Sequence, residues 1–195
     1  MKHLQALFIF TLLSGSSFSA AAMETVVIET SAGEITLQLN DEKAPASVQN
    51  FLAYAVSGFY NGTIFHRVIN NFMIQGGGFT ADYQRKATNS PIRNEANNGL
   101  KNNKYSIAMA RTGNPHSATS QFFINTKDNG FLNFTRESGN GWGYAVFGNV
   151  IKGFDVVDAI NQVSTGAGGP FRSDAPIQQV IIKTVRIIAK QQPTK

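Results

Sequence analysis

The residues best equipped for chemistry in this 195-residue chain lie in one stretch, Phe65-His66-Arg67-Val68-Ile69-Asn70-Asn71-Phe72-Met73-Ile74-Gln75-Gly76-Gly77-Gly78. It reads as two short strands joined at an Asn70-Asn71 turn. Side chains alternate along a strand, so Phe65, Arg67 and Ile69 are expected on one face. After the turn, Met73 and Gln75 are expected on one face, with Phe72 and Ile74 on the other. A permanent cation is a poor core residue. It makes sense beside a groove, where Arg67 and Gln75 donate hydrogen bonds above an aromatic and thioether floor.

Little else in the chain offers reactivity. There is no Cys, which removes thiolate chemistry, disulfides and Cys/His zinc sites. Of the three His, His3 lies near the start, while His66 and His116 are far apart in sequence. No His stands beside a recognisable Ser and acid, and neither a metal site nor a cofactor is expected. His66, next to Arg67 on the opposite face, is expected to be a hydrogen-bonded core histidine. The Gly76-Gly77-Gly78 run lacks the Lys-Ser/Thr ending of a phosphate loop and opens no helix, so it reads as a tight backbone path.

The elements that must position this stretch follow from periodicity. Thr25 to Thr30 is β-branched, Ser31-Ala32-Gly33 is a turn, and Glu34 to Asn40 alternates with Ile35, Leu37 and Leu39 inward. Asp41 to Gly58 reads as a helix, with Pro45 in its first turn and a stripe of Val48, Phe51, Leu52, Ala55 and Val56. Residues 79 to 103 form a long polar excursion. Strands are expected over Tyr105 to Ala110, Gln121 to Thr126, Tyr144 to Val150 and Gln178 to Ile188. A second helix is expected over Asp155 to Val163, and the Gly-rich segment 164–176 is expected to be a flexible loop. That makes about eight strands and two helices, with strands joined mostly by loops. The fold class is therefore mainly β: a closed eight-stranded antiparallel barrel capped by two α-helices, its interior filled by side chains and its site on the outside.

The first 22 residues have the layout of a secretory signal peptide: a basic start at Lys2, an apolar Leu4 to Leu13, and a small polar end closing on Ser19-Ala20-Ala21-Ala22. Cleavage is expected after Ala21 or Ala22, leaving residues 23–195 as a single domain, exported and not membrane-inserted. Its formal charge would be +4, the +5 of the full chain less Lys2. The basic residues are scattered, which argues against nucleic acid as a partner. Nothing points to an obligate interface, so a monomer is expected.

Five blocks carry a resemblance: FHRVINNFMIQGGGFT, SIAMARTG, SQFFINT, FLNF and GYAVFGNVIKGFDVVDAI. In this order and spacing they resemble the cyclophilin family of peptidyl-prolyl cis-trans isomerases over nearly all of the chain from Glu24 to Ile188. The overall character is that of the bacterial exported, periplasmic members. The resemblance implies Arg67 as the catalytic arginine and Phe72, Met73, Phe123 and Leu132 as a proline pocket. It implies Gln75 and Gln121 as polar groups in or beside the groove, and Ala110 and the Arg111 backbone as the lining of a neighbouring cleft. The expected partners are proline-containing, unfolded or flexible polypeptides. Three positions depart from many eukaryotic members: Arg111-Thr112 replaces Asn-Ala, Phe131 replaces a Trp, and Tyr144 replaces a His. Phe131 lacks the indole N–H donor, so cyclosporin binding is expected to be weak. The single Trp, Trp142, lies in a Gly-rich loop and is not that residue. Two other readings remain at this point: a chaperone-like module that holds Pro-containing segments, and a hollow barrel that carries a small apolar ligand.

Overall fold

Strands β1 (Thr25–Thr30) and β2 (Gly33–Leu39) form the expected hairpin, with Val26 paired to Leu37 and Ile28 to Ile35. Alternation in β2 sends Ile35, Leu37 and Leu39 fully inside. The computed structural model describes residues 23–188, and the expected leader, residues 1–22, lies outside the described residues. The remaining barrel strands are β3 (Thr63–Ile69), β4 (Met73–Thr80), β5 (Ser106–Met109), β6 (Phe122–Asn125) and β7 (Val146–Lys152). Helices α1 (Pro45–Val56) and α2 (Phe154–Asn161), a hairpin of β8 (Thr165–Gly168) and β9 (Phe171–Pro176), and β10 (Ile181–Ile188) complete the order. Eight strands close in the order β1-β10-β3-β4-β6-β5-β7-β2, every adjacent pair antiparallel. Closure leaves the barrel no free sheet edge.

The interior is solid. Phe51 from α1 meets Tyr60, Phe122 and Phe147 at centroid distances of 5.2, 5.5 and 5.4 Å, and Phe65 meets Phe122 edge-on at 6.1 Å. These separations suit tilted and edge-to-face ring pairs. A barrel filled in this way has no lumen for a carried ligand, which removes the carrier reading.

Helix α1 is shorter than the sequence suggested and rotated from the expected stripe. It buries Ser47, Val48, Phe51, Tyr54 and Ala55, while Val56 is 76% exposed. At about 100° per residue, Val56 lies roughly 140° round from Phe51, whereas Ala55 lies about 40° away. Its first turn is held from a distance. The Glu95 carboxylate accepts from the Ala46 and Ser47 amides (3.0 and 2.8 Å) and the Ser47 hydroxyl (2.7 Å). A negative charge there satisfies the orphan amides of a helix start. The same contact pins the 79–103 excursion to α1. At the other end of β2, α2 stands over the β1–β2 turn, where a Cβ at Gly33 would lie 2.7 Å from Val156.

The segment 164–176 is not a flexible loop. It is the antiparallel hairpin β8–β9, with Gly166 opposite Ala175 and Gly168 opposite Phe171. Its Gly content, and a register break that removes regular alternation from β9, hid the hairpin. Phe171 packs on His66 of β3, which docks the hairpin beside the stretch that carries Arg67.

Candidate active site

Arg67 reaches the outside of the barrel through a β-bulge. Phe65 pairs with Gly76 and Arg67 with Gln75, so two steps on β3 match one on β4. His66 is the extra residue, and the parity of the strand inverts there. Phe65 therefore points into the core at 0% exposure while Arg67 faces outward at 40%, not on the same face as the alternation predicts. Ile69 does share the outer side with Arg67, packing against an outer apolar cluster of Met73, Ala108, Phe123 and Val146.

Beyond the turn, Met73 and Gln75 face outward and Ile74 inward, as expected. Phe72 does not follow Ile74. It sits in the turn rather than the strand, after Asn71 at φ 56°, and joins the outer side. Asn tolerates that left-handed conformation better than most residues.

Nine residues line one cavity of about 120 Å³: Arg67, Phe72, Met73, Gln75, Ala110, Arg111, Phe123, Leu132 and Tyr144. Ligand sites for drug-sized molecules run from about 300 to 1,000 Å³, so this one suits a single small ring. Met73 and Phe123 are nearly sealed, at 2 and 4% exposure. Tyr144 meets Phe123 edge-on at 5.6 Å. The Arg111 guanidinium lies 4.6 Å over the Tyr144 ring, and its Nε donates to the Gly143 carbonyl at 2.8 Å. The side chain of Arg111, and not only its backbone, thus builds the wall.

Gln121 and Phe131 lie just outside that cavity. Gln121 lines an adjoining polar recess of about 90 Å³ with Arg85, Ser117 and Thr119. Its Oε1 accepts from Gln75 Nε2 at 2.9 Å, so Gln75 is oriented by Gln121 and not against Arg67. Glycine at 78 makes this possible, since a Cβ there would lie 2.5 Å from Gln121 Cγ. Gly77 has φ 79° and faces the Tyr60 and Phe122 rings, so the glycine run is the tight path expected of it. Phe131, 76% exposed, stacks on Phe72 at 5.6 Å and 24° and extends the apolar floor outward. Trp142 is buried away from the cavity, between Phe134 and His116.

His66 is buried as expected, at 2% exposure, between Phe79 and Phe171. It is not fully hydrogen-bonded, because its Nδ1 has no partner among the described residues. Burial, aided by the neighbouring Arg67 charge, pushes its pKa down to about 4. The charged partner of Arg67 is one the sequence did not reveal: Asp174 Oδ2 on β9, 3.6 Å from Arg67 Nε. Nothing in GPFRSDAP marks it, because the contact spans more than a hundred residues. Among the described residues, no group of three or more His, Asp or Glu could hold a metal ion.

A closed barrel whose outer groove sets the Arg67 guanidinium beside an apolar floor, with Arg111 turned onto Tyr144, is the architecture expected of an isomerase that rotates peptide bonds. Residues 25–187 match the family described as cyclophilin type peptidyl-prolyl cis-trans isomerase/CLD, and the chain belongs to that family. It is 61% identical over 166 residues to the peptidyl-prolyl cis-trans isomerase cyp18 of Streptomyces antibioticus, covering 85% of this chain and 99% of that one. It is 57% identical over 162 residues to peptidyl-prolyl cis-trans isomerase B of Escherichia coli, covering 83% and 98%. A cyclophilin of Cryptosporidium parvum, solved in the presence of the dipeptide Ala-Pro, superposes with a TM-score of 0.69 at 28% identity, covering 85% and 99%. The protein is a peptidyl-prolyl cis-trans isomerase.

Proposed function

We propose that the cavity beside Arg67 receives the ring of a substrate proline and that Arg67 is the catalytic residue. The observation that carries this is the placement of the Arg67 guanidinium on the rim of a small cavity floored by Phe72, Met73, Phe123 and Leu132, while the other lining guanidinium, Arg111, is taken up by the Gly143 carbonyl and the Tyr144 ring. Rotation about an X-Pro bond is opposed by amide resonance, a barrier near ~20 kcal/mol. No bond is made or broken, so no nucleophile or base is required. In the twisted state the prolyl nitrogen regains a lone pair and accepts a hydrogen bond. A guanidinium fixed against it stabilises that state over both planar ones. Arginine suits the task because it stays charged and cannot give its proton away. The apolar floor holds the ring while the acyl side turns, and a drier site strengthens the contact. Reaching turnover within milliseconds asks for about 10⁴-fold or more, roughly 5–6 kcal/mol. A single well-placed donor supplies about 3–4 kcal/mol, and the held ring supplies the rest.

The test is an isomerisation assay on a short Pro peptide with the wild type and Arg67→Ala. Arg67→Ala is expected to lose about 100-fold or more in kcat/KM while its circular dichroism and melting temperature stay unchanged. Undiminished turnover would favour the chaperone-like reading, in which the groove holds Pro-containing segments.

The setting follows from residues 1–22. Their basic, apolar and small-polar layout supports export, most simply to the periplasm of a Gram-negative bacterium, with unfolded or flexible exported polypeptides as clients. Expression in such a host is expected to yield a soluble periplasmic protein starting near Ala22 or Met23. An intact N-terminus in the cytoplasmic fraction would refute it.

A further inference from the structure

We propose that Asp174 is a positioning residue for Arg67, holding the guanidinium by Nε so that its terminal nitrogens face the cavity. The inference rests on the reading of Arg67 as catalytic. Three observations carry it. Asp174 Oδ2 lies 3.6 Å from Arg67 Nε, and it is the only carboxylate paired with Arg67 among the described residues. No hydrogen bond within the described residues occupies the terminal nitrogens of Arg67, so the carboxylate engages the inner edge of the fork and leaves the outer edge for a substrate.

The second observation is backbone conformation. Asp174 has φ 65°, a left-handed state that is strained for most residues bearing a Cβ. It lies where the hairpin register breaks. Gly166 faces Ala175 and Gly168 faces Phe171, so the three residues from Arg172 to Asp174 oppose the single Ala167. Such irregularities re-aim a side chain, and strained backbone persists where the surrounding structure holds it.

The third is anchorage. Phe171 at the start of β9 stacks on His66 at 5.2 Å and 27° and meets Phe79 edge-on at 5.1 Å, while Ala175 is 1% exposed. Asp174 is thus presented from a strand whose Phe171 packs on the strand that carries Arg67 and whose Ala175 is buried. An arginine 40% exposed on a flexible stem would otherwise sample many rotamers. Catalysis by hydrogen bonding depends on the donor standing in place before the twisted state forms.

A plain surface ion pair of this exposure contributes little and leaves turnover alone. The two roles separate cleanly because Asn and Gly both tolerate the left-handed backbone. Under the proposal, Asp174→Asn and Asp174→Gly each lower kcat about tenfold with KM nearly constant. Neither lowers the melting temperature, and Asp174→Glu recovers part of the kcat. In an Arg67→Ala background, Asp174→Asn changes nothing further. In ¹⁵N spectra, the Arg67 Nε–H signal, assigned by its disappearance in Arg67→Lys, broadens in Asp174→Asn. An unchanged kcat in Asp174→Asn alongside a crippled Arg67→Ala overturns the proposal alone. An additional loss in the Arg67→Ala background also overturns it. An active Arg67→Ala removes the reading beneath it and the proposal together.

Discussion

Arg67 acts as a hydrogen-bond donor and not as an acid or base, so its contribution depends on geometry and on the dryness of its surroundings. Gln75 and Gln121 satisfy one another at 2.9 Å and keep a polar edge beside the cavity without competing for the guanidinium. Phe131 is the residue that most clearly marks how this groove differs from many eukaryotic ones. It offers a ring face to Phe72 but no N–H donor. Phe131→Trp is expected to tighten cyclosporin binding by about tenfold, the worth of one added hydrogen bond of roughly 1 kcal/mol plus extra ring contact. Titration of isomerase inhibition in both proteins measures this. Tight inhibition of the unaltered protein would show that the missing donor does not govern drug binding.

The loops that wall the cavity are held by a buried asparagine relay between β5, β6 and the segments around Leu132 and Tyr144. Asn129 Nδ2 donates to the Phe72 carbonyl at 2.8 Å and to Asn125 Oδ1 at 2.7 Å. Asn125 Nδ2 donates to Ser106 Oγ and Asn102 Oδ1, and Asn102 Nδ2 donates to the carbonyls of Leu132 and Tyr144. Three walls of the site are thereby tied to one another through side chains almost wholly buried. Removing one member strands its partners, which costs about 1–3 kcal/mol. Asn129→Ala is expected to lose that much in urea denaturation and to raise KM for a Pro peptide, since the Phe72 carbonyl and Asn125 Oδ1 lose their donor. Unchanged stability would mean that water replaces the amide without loss. The polar character of residues 79–103 suggested a surface excursion, yet the sequence carried no sign that its Asn102 meets Asn125 of β6.

The molecule as a whole places a buried, incompletely bonded His66 under the hairpin that reaches Arg67. The unfolded chain binds a proton at this histidine near pH 6.5, whereas the folded chain resists it until about 4. Protonation therefore favours unfolding. The His66 contribution to stability is intact above pH 6.5, erodes as pH falls from there to about 4, and levels off below, for a total of about 3 kcal/mol. His66→Phe keeps a ring between Phe79 and Phe171 without the titration. Its stability measured against urea is expected to fall less than that of the wild type between pH 6.5 and 4, and parallel pH profiles for the two would refute this.

By itself the sequence determined the eight barrel strands, the two helices, the filled barrel and the residue types of the groove, but not the β8–β9 hairpin. These follow from short-range alternation, helical stripes and blocks whose order is a property of the chain. The Arg67 stretch was legible for that reason, while Phe123 and Leu132 entered only through the resemblance carried by those blocks. The tertiary structure decided what depends on register and on contacts between distant segments. The bulge at His66 put Phe65 and Arg67 on opposite sides, because one extra residue inverts the parity of a strand. The break at Arg172 to Asp174 aimed a carboxylate at Arg67 from a segment that reads as loop. Sequence periodicity records which way a side chain points only while the pairing stays regular, and the irregular pairings of β3 and β9 are where this site is built.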